Sequence, residues 1–351
     1  MQRTFIYDSR IPRRLRRLFD CSHTRRPQRG SKRMREEVLF EISSLSRNPL
    51  KVKGYRFGRE GTTPSCVIVG PMTGNAIDQL WIASQVVRFL RQQELANAAF
   101  IKGEILVVPT VNPYSFNMGK SFWPLDNTDI DVMFPGYDKG ETTQRIAARL
   151  FEKTNNYDYA ILLEARKDHV ECIPYVKVLQ TGRENIDHAR AFGLDFIHLK
   201  EPSPSDTVSL NYNWQIWNAQ SFSLVSGKKG VLQKNEANKV IDAIIRFLSQ
   251  KGLIDYATFA ASSGNIITQN DIEAIKSTAA GLFDALVPIG ECVVHGQPLG
   301  RIFNALEGTL MQTIISPCDG IVSCRYDYSM IFQNAIAYRI IKAEAALNRY
   351  M

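Results

Sequence analysis

The chain has 351 residues, of which 44% are hydrophobic and 22% are charged. This composition is typical of a soluble globular protein with about two domains. Forty-three Lys and Arg against 35 Asp and Glu give a formal net charge of +8. No apolar run approaches the roughly 18 residues that a membrane span requires, and the N-terminus has no apolar signal region. The sequence therefore predicts a cytoplasmic protein with no membrane partner.

The positive charge is confined to the N-terminus. Residues 1–35 contain 12 basic and two acidic side chains, whereas the rest of the chain sums to −2. We expect this segment to be a basic, disordered extension. It could serve as a nucleic-acid arm, a membrane-surface helix or an Arg-rich transit peptide. Equally, Met34 could be the native start, and residues 1–33 would then have no function.

Neither the cysteines nor the histidines form a recognisable metal-binding motif. No C-x-x-C pair occurs, and the pattern argues against both a zinc ribbon and a disulfide framework. Cys66, inside an apolar run, is interpreted as a buried thiol. The five histidines are scattered, at positions 23, 169, 188, 198 and 295.

Residues 36–262 alternate between strand-like and helix-like segments. Helical periodicity is clearest over 235–250, where apolar residues line one face and Gly252 follows the end. Such alternation predicts an α/β domain with a mainly parallel mixed sheet flanked by helices. The other expected helices are 75–93 and 142–151, and the expected strands are 65–70, 104–110, 159–163, 176–179, 196–199 and 221–225.

Residues 263–351 change in character to short β-like runs separated by tight turns. Segments 290–300 and 317–322 resemble the hairpin halves of lipoyl- or biotinyl-like barrels, but no lysine stands in a carrier-type hairpin context. We expect a small C-terminal all-β, barrel-like domain with a structural role.

Three motifs, in order, resemble the succinylglutamate desuccinylase/aspartoacylase family. They are Gly-Pro-Met-Thr-Gly-Asn-Ala at 70–76, Val-Val-Pro-Thr-Val-Asn-Pro at 107–113 and Asp-Asn-Thr-Asp-Ile-Asp-Val-Met-Phe-Pro-Gly at 126–136. The resemblance extends from about Glu37 to the C-terminus. It implies a zinc-carboxypeptidase-like fold with a C-terminal β domain, and zinc-dependent hydrolysis of N-acyl amino acids or related amides.

The positions that this resemblance assigns to zinc carry unsuitable side chains. The family uses His and Glu of a His-Gly-x-Glu turn and a second His at the end of a later strand. Here those positions are Thr73, Ala76 and Glu164. Since protein zinc sites normally provide three or four N, S or O ligands, one carboxylate is insufficient. We expect no cofactor, or zinc if the family activity survives.

Three further positions of the family pattern are also replaced. The Asn-Arg pair that grips the substrate carboxylate is here Asp131-Val132, so a carboxylate-bearing ligand becomes less favoured. The catalytic Glu position is Val225, which cannot transfer a proton. Asn75 and Asp129 are further candidate pocket residues. Trp214, in a segment rich in Trp, Asn and Gln at 211–218, is interpreted as part of the pocket rim, although simple packing is the alternative.

Two functions remain open at this level. The first is a pseudoenzyme that binds a small molecule or peptide without zinc hydrolysis. The second is an active metal-dependent amidohydrolase with a shifted site, built from His169 and Glu171 with Asp129 or Asp131. Nucleic acid is a candidate partner only for the basic N-terminal segment. The sequence does not determine the oligomeric state, and an oligomer is possible.

Overall fold

The structure is a computed structural model that describes residues 34–43, 48–166, 169–258 and 264–347. Residues 1–33, which make up nearly all of the predicted basic extension, lie outside the described residues. Arg35, placed in that extension by its charge, instead begins the first strand. None of the helices in the described ranges is long and apolar enough to cross a membrane.

The segment between Arg35 and Ile267 folds as an α/β unit whose elements match the predicted alternation. The strands are β1 (Arg35–Ile42), β2 (Leu50–Phe57), β3 (Ser65–Val69), β4 (Glu104–Val108), β5 (Tyr159–Glu164), β6 (Val170–Leu179), β7 (Phe196–Lys200), β8 (Gln220–Gly227) and β9 (Asn265–Ile267). The helices are α1 (Ile77–Ala96), α2 (Pro113–Met118), α3 (Thr142–Thr154), α4 (Ile186–Arg190), α5 (Leu210–Ile216) and α6 (Lys234–Gln250).

The centre of the large sheet is parallel. Strand β3 pairs in parallel with β4 and β5, and β5 pairs in parallel with β8. Antiparallel pairs extend it on both sides, with β2 and β1 beyond β4 and with β6 beyond β8. The mixed sheet predicted from the alternation is therefore confirmed.

Helices cover both faces of this sheet. Helices α1 and α6 bury apolar side chains such as Ile82 and Ile244 against one face, together with Ile68 of β3. Helices α3 and α5 cover the other face with Ile146 and Trp214. The strands between them are apolar almost throughout, as expected for a sheet buried on both sides.

The C-terminal strands form a small sheet and also extend the large one. They are β10 (Ile272–Lys276), β11 (Gly281–Ala285), β12 (Cys292–Val293), β13 (Pro298–Phe303), β14 (Leu310–Ile315), β15 (Gly320–Tyr326), β16 (Met330–Ile331) and β17 (Ile336–Lys342), followed by helix α7 (Ala343–Leu347). Strands β14, β13, β11 and β16 make a separate four-stranded antiparallel sheet. Strand β15 pairs with β6, and β17 and β10 continue the large sheet beyond it.

A disulfide joins the two parts of the chain. Cys172 of β6 and Cys324 of β15 are direct partners in the strand register and are bonded through their sulfur atoms. The expectation of no disulfide framework is wrong for this pair. Its 152-residue separation depends on strand pairing across the molecule, which cysteine spacing does not show.

Candidate functional site

A pocket lies where the central strands end. Strands β3, β5 and β8 run in parallel, and their carboxyl ends meet at one edge of the sheet, the usual place for ligand sites in α/β folds. The pocket is a small, open cleft with a cavity volume of about 30 Å³. Its polar side chains are Thr73, Asp131, Glu164 and Lys229, and its other lining residues are Pro71, Met72, Leu162, Leu163 and Ala165.

The turn after β3 brings Thr73 to the pocket. Its hydroxyl-bearing side chain is largely buried, and Ala76 is completely buried at the start of α1, where it provides no capping hydrogen bond. Gly74 has no room for a Cβ because the backbone of Ser115 packs directly against it. Asn75 Nδ2 donates to Ser121 Oγ at 2.8 Å, so this amide helps to fix the turn.

Glu164 ends β5 and forms an ion pair with Lys177 of β6. Lys177 Nζ lies 2.5 Å from Glu164 Oε2. Burial opposes ionisation of Glu164, but the charge and hydrogen bond of Lys177 outweigh it and hold the pKa of this carboxyl below its usual value. Burial likewise opposes the charge on Lys177, yet Glu164 raises the pKa of that ammonium. The pair is therefore ionic at neutral pH.

Val225 lies directly beside Glu164. The two residues are register partners between β5 and β8. Val225 is fully buried and belongs to an apolar cluster with Cys172, Tyr175 and Cys324. The position that the family resemblance assigns to a proton carrier thus contributes only packing.

Asp131 faces the pocket from a short 3₁₀ turn, Ile130–Val132. Asp129 caps this turn, accepting a hydrogen bond from the Asp131 backbone N–H at 3.0 Å. Burial, and then the negative charges of Asp129 and Glu164, raise the pKa of Asp131 to about 7, against the weaker effects of Lys229 and Lys177. Val132, at the family's clamp position, is 39% exposed and does not line the pocket.

Asp131→Asn is expected to stabilise the protein above pH 7. Between about pH 4 and pH 7 the native carboxyl retains a proton that the unfolded chain releases, so the free energy of unfolding falls as pH rises. Because Asp131 is partly exposed, we expect its ionisation to lower the free energy of unfolding by on the order of 2 kcal/mol. Urea unfolding at pH 5 and pH 8 measures it, with the exposed Asp242→Asn on α6 as control. Identical pH dependence in wild type and Asp131→Asn would contradict the assignment.

Of the pocket residues expected from the sequence, Asp131 lines the pocket, whereas Asn75, Asp129, Val132 and Trp214 do not. Trp214 is fully buried in the core, where its indole N–H donates to Thr154 Oγ1 at 3.1 Å. Two lysines that act on the site were not predicted: Lys229 lines the pocket, and Lys177 pairs with Glu164. Lys229 follows the left-handed Gly227 at the end of β8, and the Gly-Lys-Lys-Gly run was the available signal. Lys177 sits in an apolar strand, where a single buried lysine signals a paired charge.

The residues of the hypothetical shifted metal site do not come together. Glu171 accepts hydrogen bonds from Arg325 Nε at 2.8 Å and from Gln233 Nε2. His169 stacks on Tyr328, with 4.3 Å between the ring centroids. Both side chains are thus engaged with other groups, and in the described ranges no three His, Cys, Asp or Glu side chains are grouped as metal ligands.

The residues at the family's metal positions do not fit zinc. Thr73 offers a neutral hydroxyl, Ala76 offers no donor atom, and Glu164 already neutralises Lys177 at 2.5 Å. A tetrahedral zinc ion needs three protein ligands even when water takes the fourth position.

Comparison with known proteins identifies the scaffold. The profile of the succinylglutamate desuccinylase/aspartoacylase catalytic domain matches residues 62–250. A curated relative, the N-alpha-acetyl-L-2,4-diaminobutyric acid deacetylase of Halomonas elongata, is 21% identical over 282 residues, covering 76% of this chain and 79% of the relative.

Solved structures share the fold at low sequence identity. A succinylglutamate desuccinylase/aspartoacylase from Rhodobacter sphaeroides superposes with a TM-score of 0.73 at 17% identity, covering 88% of this chain and 95% of that one. The product-bound ectoine utilization protein EutE (DoeB) from Ruegeria pomeroyi gives 0.72 at 16% identity, covering 89% and 96%. Because the catalytic-domain profile spans more than half of the sequence, this chain belongs to the succinylglutamate desuccinylase/aspartoacylase family.

Proposed function

We propose that this protein is a non-hydrolytic member of its family, a pseudoenzyme that binds a small molecule or peptide in the pocket without zinc. The observation that carries the proposal is the ion pair between Glu164 and Lys177. Of the three family zinc positions, only Glu164 carries a side chain with a strong metal-ligand atom. The ammonium group of Lys177 already neutralises the charge of this carboxylate.

The other replaced positions support the same function. Amide hydrolysis needs an activated water and a group that moves a proton to the leaving amine. Val225 cannot move a proton, and Ala76 leaves the zinc set short of a ligand. Asp131, with its raised pKa, could exchange a proton, but Thr73 and Ala76 do not supply the ligands that a metal-bound water would require.

The competing function is an active metal-dependent amidohydrolase with a shifted site. The contacts of Glu171 with Arg325 and Gln233 weigh against it, because a carboxylate so engaged must lose a buried partner before it can bind a metal. No geometric feature of the pocket favours this second function.

Metal content and turnover of the purified full-length chain test the proposal. We expect substoichiometric zinc by plasma mass spectrometry, even after zinc loading and desalting. We also expect no hydrolysis of a panel of N-acyl amino acids, including N-acetyl-2,4-diaminobutyrate, above the rate of the matched Glu164→Gln variant. Stoichiometric zinc, with chelator-sensitive turnover that Glu164→Gln abolishes, would refute the proposal.

A further inference from the structure

Two arginines and a histidine form a cluster next to the pocket, on the side of the C-terminal strands. Arg166 stands two residues beyond the end of β5, and the preceding Ala165 lines the pocket. His198 lies in β7, directly opposite Lys177 of β6 in the strand register. Arg339 lies in β17, in register with Cys324 of β15. We call Arg166, His198 and Arg339 the cation cluster.

Tyr175 contacts two members of the cluster, Arg166 and His198. Arg166 Nη1 donates a hydrogen bond to Tyr175 Oη at 3.1 Å. The Tyr175 ring lies 6.0 Å from the His198 ring, centroid to centroid. Tyr175 is itself largely buried, so the cluster is held against a rigid aromatic side chain.

Arg339 lacks the partner that a partly buried guanidinium normally has. In the described part of the chain its side chain makes no hydrogen bond and no ion pair. Burial, and then the positive charge of Arg166, lower the pKa of Arg339, whereas Tyr175 opposes this effect. The two guanidinium groups therefore repel each other across a partly desolvated space.

His198 has an unsatisfied polar atom in the same place. The residue is only 8% exposed, and its Nε2 atom is buried with no hydrogen-bond partner among the described residues. Burial, and then the charges of Arg166 and Lys200, with smaller effects of Lys177 and Arg339, lower its pKa to about 4. The groups that face His198 from β6, β7, β17 and the segment after β5 are thus four cations and the Tyr175 phenol.

Two carboxylates on neighbouring elements are already engaged. Glu164 pairs with Lys177 at 2.5 Å, and Asp206 pairs with Lys200 at 2.5 Å. Within the described ranges, neither Arg166 nor Arg339 forms an ion pair with a carboxylate. A buried nitrogen without a hydrogen-bond partner, such as His198 Nε2, destabilises a folded protein unless a ligand satisfies it.

We propose that the cation cluster is an oxyanion site, which takes a carboxylate or phosphate group of a small ligand at the border of the pocket. Planar guanidinium groups match the oxygen geometry of both anions, and His198 Nε2 supplies a further polar contact. The cluster contains none of the three family zinc positions. It is independent of the proposed loss of hydrolysis, and it would remain if metal were found.

Anion binding to the full chain tests this site. Inorganic phosphate and succinate are titrated separately by calorimetry at constant ionic strength, against Arg166→Gln, Arg339→Gln and the control Arg301→Gln, an exposed arginine of β13. We expect saturable one-to-one binding of at least one probe. Each cluster variant should weaken it by about tenfold or more, since charge-assisted hydrogen bonds are lost, and Arg301→Gln should leave it unchanged.

A second measurement separates loss of binding from loss of folding. Arg339→Gln removes a repelling charge, so its melting temperature without ligand should equal or exceed that of the wild type. By NMR, the pKa of His198 should rise when the bound probe adds negative charge. Binding of succinate alone identifies a carboxylate site, and binding of phosphate alone a phosphate site. Absence of saturable binding, or equal weakening by Arg301→Gln, overturns the proposal.

Discussion

A quadruple variant is expected to bind about one zinc ion per chain, whereas the wild type should bind less than one. The variant carries Thr73→His, Ala76→Glu, Glu164→His and Lys177→Met. The first three changes restore three ligands, the usual number contributed by protein to an open zinc site. The fourth removes an ammonium that would otherwise face the metal. Zinc per chain after dialysis, and competition with a chromophoric chelator, measure the gain.

The matched control is the triple variant that retains Lys177. With His at position 164 this ammonium loses its carboxylate and repels the incoming dication, so zinc affinity should be at least about tenfold lower than in the quadruple variant. Equal affinities would show that Lys177 does not act on the metal position. If the quadruple variant is folded by circular dichroism but binds no zinc, positions 73, 76 and 164 do not converge on one ion.

Lys177→Met in the otherwise native chain should reduce the free energy of unfolding by about 3 kcal/mol. Lys177 is 11% exposed and Glu164 31% exposed, and removing one partner of a buried pair leaves an uncompensated charge. The pKa of Glu164 is lowered in the native state. Its contribution is therefore present above the unfolded pKa of Glu, about 4.3, and is lost as pH falls. Urea unfolding at pH 7 measures the loss.

A double-mutant cycle isolates the pair. Glu164→Gln combined with Lys177→Met removes both charges, and the double variant should recover much of the stability that Lys177→Met loses. Strict additivity of the two single changes would mean that the 2.5 Å contact contributes nothing to stability, and Glu164 would then be available to a ligand.

Local patterns were sufficient for the α/β core. Helix α6 was expected over 235–250 and extends over Lys234–Gln250, because one continuous apolar stripe and a following glycine define such a helix. The buried strands β3 and β5 were within one residue of their expected ends. Signals within each segment determine these elements, so they could be predicted without knowing which strands pair with which.

Features that depend on contacts between distant segments of the chain could not be predicted from the sequence. Strand β6 begins at Val170, six residues before its expected start, since its first part pairs with a C-terminal strand rather than with its sequence neighbours. The tryptophan at 214, interpreted as a pocket residue, packs in the core because α5 turns it toward Thr154. The ion pair of Glu164 with Lys177 likewise arises only when β5 and β6 fold back on either side of β8.

The pairing of β15 with β6 has a consequence for how the chain can be divided. The family profile ends at residue 250, yet Cys172 and Glu171 have their cross-strand partners in Cys324 and Arg325. A fragment that stops near residue 262 would leave the start of β6 as an open strand edge, which invites self-association. The end of the matched profile therefore separates strands that pair with each other in the folded chain.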